Sequence, residues 1–166
     1  MLLTVFLAIV FCGAATLFLV SAVAFAEFEK FFSSAPKEVQ GVIKPREHEL
    51  FYGSKTMGRA LIILSAIIIL GVGAVAIWDG FRSNFTFWQF FVRFVLIFTI
   101  YKLYDMVAFD YFLLLKSQFF QYFYPETGNG SIPKKYGFNL KSQLLKLFVI
   151  FLATLALVAW ICTLIS

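Results

Sequence analysis

The sequence predicts an all-α fold, a polytopic membrane protein whose four transmembrane helices form one bundle. Three observations carry that expectation. Four apolar runs each come near or exceed the ~20 residues that cross ~30 Å of hydrocarbon. The 166-residue chain is 61% hydrophobic and 14% charged, whereas a soluble domain is about half apolar and about a quarter charged. One aqueous core cannot hide that excess, and a bilayer is its natural solvent. Lysine and arginine also gather in two of the three connections and are scarce in the third.

The first run, Leu2–Ala26, carries no charge. Its end, Ala22-Val23-Ala24-Phe25-Ala26, has the small-residue spacing of a cleavage site. Yet no Lys or Arg precedes it, and the run is longer than the roughly 7–15 apolar residues of a removable signal. A retained helix over 2–26 is expected. Ala8, Cys12 and Thr16 recur at every fourth position, which would let another helix approach closely.

A polar loop, 27–58, follows, broken by Pro36 and Pro45. The second span is 59–78, from Arg59 to an interfacial Trp78, and Gly71, Gly73, Ala74 and Ala76 give it a second small-residue surface. Asp79-Gly80-Phe81-Arg82-Ser83-Asn84 reads as a tight link. The third span is 85–106. Its apolar and aromatic character runs on to Tyr124, so a helical extension over 107–123 is expected, leaving the membrane or lying along its surface. Pro125, Gly128 and Gly130 bring turn chemistry into a second loop, 124–143, and the fourth span is 144–165. The 23 phenylalanines are spread without a repeat, as a lipid-facing coat would be.

Cation counts orient the chain. Residues 27–59 hold six Lys or Arg, 79–84 hold one and 116–146 hold five. The positive-inside rule puts both basic loops in the cytoplasm and both termini outside, in a cell (plasma) membrane. Cations that flank spans fit anionic lipid headgroups and leave no nucleic-acid footprint. The two halves share an approach to their returning helices, Phe51-Tyr52-Gly53-Ser54-Lys55 and Lys135-Tyr136-Gly137-Phe138. Ordinary interfacial chemistry at helix entrances accounts for that likeness better than a duplicated hairpin does.

The third helix holds the polar groups a membrane resents. A cation at mid-membrane costs about 2.5–3.5 kcal/mol even on a lenient scale. Arg93 lies within the span, and Tyr104 falls about three turns later on nearly the same face. The other three spans hold no acid, which points Arg93 to a ligand, a lipid phosphate or another subunit. Lys102 and Asp105 are spaced to pair along one side of the helix, or to serve as plain interfacial ions. Asp110 lies too far round to join them.

The cytoplasmic loops offer one more cluster, Glu47, His48 and Glu49, which Glu126 could join from the second loop. With a single histidine and two isolated cysteines, Cys12 and Cys162, no metal site or redox pair is expected. No phosphate loop, nucleophile elbow or paired-acid arrangement calls for a cofactor. Three functions remain open: a non-enzymatic subunit or regulatory, immunity-type protein acting through helix and lipid contacts; a homo-oligomeric transporter or channel for an anionic solute using Arg93; and a lipid-modifying enzyme at the cytoplasmic interface. The first implies a protein partner or self-association in the membrane.

Overall fold

The computed structural model describes residues 1–25, 51–116, 122–123 and 151–165, and every described element is helical. Helix α1 spans Leu2–Val20 and continues in wider π-helical turns through Ser21–Phe25. Helix α2 spans Ser54–Arg82, α3 spans Phe87–Tyr104 with a π-helical continuation over Asp105–Lys116, and α4 spans Leu152–Ile165. Two stretches, Leu2–Phe25 and Ser54–Arg82, are long and apolar enough to cross a membrane, with mean hydropathies of 2.6 and 2.9. Helix α4 is apolar over its 14 described residues. Residues 27–50 of the first loop, the second loop at 124–143 and the start of the fourth run at 144–150 lie outside the described residues.

The chain divides into two compact units, one built from Met1–Gly13, Ile68–Asp105 and Gly137–Ser166, the other from Ala14–Ile67 and Met106–Tyr136. In the first, four helical segments share one core. Helix α1 supplies Leu7 and Ala8, α2 Val72 and Ala76, α3 Phe90, Phe94 and Ile97, and α4 Leu155, Ala159 and Cys162. Spacings of three and four residues set the α2, α3 and α4 groups each on a single helical stripe. Helix α4 packs chiefly on α3. Ala8, Ala76 and Ala159 are essentially inaccessible, and residues this small let helix axes come close.

The small-residue surface of α2 is used only in part. Ala76 meets the core, while a side chain added at Gly71 or Gly73 would touch nothing. The phenylalanines also divide. Phe6 is exposed as a lipid coat would be, but Phe90 and Phe94 are core, and Phe11, Phe81, Phe85, Phe87, Phe91 and Phe98 pack against it. Among the described residues, half of the phenylalanines therefore serve as interior packing. Phe98 meets Phe11 at 5.6 Å and Phe151 at 5.7 Å between ring centroids, separations typical of attractive ring pairs.

In the second unit the π-helical turn Ser21–Phe25 buries Ser21, Ala22, Val23 and Ala24, and the Phe25 ring lies 6.1 Å from that of Phe51. Gly53, at φ +84°, turns the chain into α2, a backbone region that costs glycine little. Ser65 is buried on α2 and returns its hydroxyl proton to the Leu61 carbonyl at 2.7 Å, so its polarity is absorbed within the helix.

Candidate functional site

The site begins with how α2 ends. The residues read as a link, Asp79 to Arg82, are its last turn. Asn84 takes a left-handed conformation at φ 49°. Its N–H donates to the Phe81 carbonyl at 3.1 Å, and the Phe85 N–H donates to the Gly80 carbonyl at 3.0 Å. That bond pair is a Schellman motif with asparagine in the place glycine usually takes. Thr86, in extended conformation, then starts α3, and its N–H donates to Gln89 Oε1 at 2.8 Å. This is the glutamine half of a capping box. The true connection is short, and each backbone N–H from Ser83 to Thr86 donates to a partner.

Such a tight hairpin brings α3 directly against α2. Phe90 is wholly buried, its ring edge against Gly80 so closely that a Cβ there would overlap it. Phe81 and Phe85 hold the same ring from the sides, at centroid separations of 5.7 and 5.6 Å.

One turn further along, Arg93 is only 6% exposed. Its Nη2 lies 2.7 Å from Asp79 Oδ2, and its Nη1 donates to the Ala76 carbonyl at 2.9 Å. The guanidinium carbon stands 4.2 Å from the centroid of the Phe85 ring, a cation–π distance. A shortage of acids near Arg93 was expected, and Asp79 removes it. The aspartate was missed because Asp-Gly reads as turn chemistry, which put it outside any span. The signal that could have found it was Asn84, a legitimate helix stop several residues further on. Among the described residues, Arg93 Nε is buried without an acceptor.

The remaining candidates are dispersed. Lys102 Nζ lies 2.5 Å from Asp105 Oδ2, both side chains largely buried. This is the pairing their spacing allows. Tyr104, partly buried, closes α3 next to Asp105, and Asp110 belongs to the π-helical continuation. Glu47, His48, Glu49 and Glu126 lie outside the described residues. Among the described residues, no three His, Cys, Asp or Glu side chains could share a metal ion.

An open groove of about 350 Å³ runs along the first turns of α3, lined by Met1 and Thr4 of α1 and by Phe85, Trp88, Gln89, Val92, Arg93 and Leu96. Its walls are chiefly apolar. Gln89, Thr4 and Arg93 supply the polar atoms, and no carboxylate lines it.

No family model, curated protein or solved structure matches this chain. Its function is therefore read from the site and from the surfaces of its helices.

Proposed function

We propose that this chain is a four-span membrane protein with both long loops in the cytoplasm, acting without chemistry of its own as a subunit or regulator of a membrane assembly. The observation that carries this reading is the use of Arg93. Arg93, buried in the first unit, is taken up by Asp79, a backbone carbonyl and an aromatic face. A guanidinium so engaged holds two helices together, and an anion path would need it free.

Two further features support a membrane setting. All three tryptophans, Trp78, Trp88 and Trp160, are more than half exposed. The first two flank the α2–α3 hairpin, where an interfacial aromatic belt belongs. At ~1.5 Å per residue, the stretch of α2 from Arg59 to Trp78 is about 28 Å long, close to one hydrocarbon thickness.

What the molecule offers a partner is apolar helix surface. Only 17% of the apolar window of α2 is buried, against 33% for α1. Ile63, Ile67 and Leu70 stand exposed along it at three- and four-residue steps, and Trp78, eight residues on, continues the same helical stripe.

The experiment is disulfide or bis-maleimide cross-linking in native membranes from single cysteines at Ile67 and Leu70, in a background lacking Cys12 and Cys162. A discrete adduct from these positions, absent for cysteines on the buried stripe at Val72 and Ala76, is expected. A chain that stays monomeric at every position, with no adduct in its native membrane, overturns the reading. Reporter fusions at residue 40 and at the carboxyl end test the orientation, and they should report opposite compartments.

A further inference from the structure

The groove beside Arg93 pairs apolar walls with a set of hydrogen-bond groups that is almost all donors. Gln89 Oε1 is already taken by the Thr86 N–H at 2.8 Å and lies within reach of the Thr86 hydroxyl at 3.3 Å, so its amide NH₂ is the part left for a ligand. Arg93 lines the groove with a guanidinium whose Nε–H has no acceptor among the described residues and is itself sealed from solvent, so an occupant reaches it only as the side chain shifts. A buried donor without an acceptor is destabilising, and no carboxylate among the lining residues could relieve it. The site therefore asks for oxygen acceptors on one part of its occupant.

The rest of the lining asks for hydrocarbon. Phe85, Trp88, Val92 and Leu96 make up most of the wall. From Gln89 to Leu96 the groove follows α3 for about 10 Å at ~1.5 Å per residue. A volume of about 350 Å³ falls at the lower end of the range of ligand-binding clefts, about 300–1,000 Å³. A free inorganic anion would satisfy the donors and leave the apolar length unused. A free hydrocarbon would do the reverse.

We infer that the groove holds one membrane phospholipid, with phosphate or ester oxygens accepting from the Gln89 amide and the Arg93 guanidinium and one acyl chain lying along Val92 and Leu96. This rests on the membrane reading above and names the lipid contact it implies. The Arg93–Asp79 pair stays intact in the complex. The lipid takes only the donor capacity the pair leaves over.

The test uses the full chain purified in a mild detergent, with lipid occupancy read by native mass spectrometry during titration with dioleoyl phosphatidylglycerol and, separately, with inorganic phosphate. One phospholipid per chain is expected, with no phosphate adduct. Val92→Trp, which fills the groove, should weaken lipid binding about tenfold or more, the scale of a lost buried apolar contact. Gln89→Leu should weaken it as well. Leu157→Trp, on the exposed side of α4, should leave it unchanged. Equal lipid occupancy in the wild type and Val92→Trp would overturn the inference, as would phosphate binding alone.

Alkaline washing of membranes keeps the two readings apart. If the chain is released by the wash, the membrane assignment itself fails. If it is retained in both the wild type and Val92→Trp while the purified wild type carries no lipid, only the groove assignment fails.

Discussion

Replacing Asp79 with alanine leaves Arg93 buried with its main counter-charge gone, and the structure sets the size of the effect. Breaking a buried ion pair from one side costs about 3–5 kcal/mol when both partners are sealed from water. Here Arg93 is 6% exposed but Asp79 is 27% exposed, so solvent reaches the gap from the aspartate side. The arginine also keeps its bond to the Ala76 carbonyl and its place on Phe85. Those contacts hold the expected loss to about 2–3 kcal/mol.

The assay is reversible unfolding in mixed micelles, followed by tryptophan fluorescence, since Trp78 adjoins Asp79 and Trp88 lies between the two partners in sequence. A double-mutant cycle with Arg93→Met isolates the interaction. Once the guanidinium is gone, Asp79→Ala should cost less than about 0.5 kcal/mol, giving a coupling of about 1.5–2.5 kcal/mol. A single Asp79→Ala cost below about 0.5 kcal/mol, or an equal cost in both backgrounds, would refute the idea that this pair clamps α2 to α3.

Gly80→Ala should destabilise the hairpin by about 1–3 kcal/mol in the same unfolding assay, because the new methyl overlaps a Phe90 ring that its neighbours hold in place. Phe90→Leu in that background should restore part of the loss, whereas Gly80→Ala with wild-type stability would show the contact to be yielding. Lys102→Ala should cost under about 1 kcal/mol, since its partner is a neighbour on the same helix and both side chains keep some access to solvent. A cost matching that of Asp79→Ala would mean that position along the helix, not burial, governs these pairs.

Much of the helical layout could be read from apolar runs alone, because run length and helix rise are fixed by simple geometry. The ends of the helices were harder. Asp79 and Gly80 have the chemistry of a turn, and their side chains say nothing about whether a helix passes through them. That was settled by contacts distant in sequence, Phe90 on Gly80 and Arg93 on Asp79. The pairing of Lys102 with Asp105 was visible in advance because it is local. The counter-ion of Arg93 was hidden because it lies on another helix. The phenylalanines mislead for a related reason. In lipid an aromatic side chain is equally at home on the coat or in the core, so composition does not separate Phe6 from Phe90. The groove could not be anticipated at all, since it depends on the start of α1 running beside the start of α3.

For the membrane protein proposed above, the Schellman-capped turn bears on how the chain would enter a bilayer. Asp79 precedes Arg93 in the order of synthesis, and the turn between them is closed by local bonds alone. A hairpin that folds on itself before insertion can carry its arginine inward already neutralised, so the charge is never presented bare to the lipid. Helices α2 and α3 are then best regarded as one insertion unit, with its counter-ion built into the leading edge.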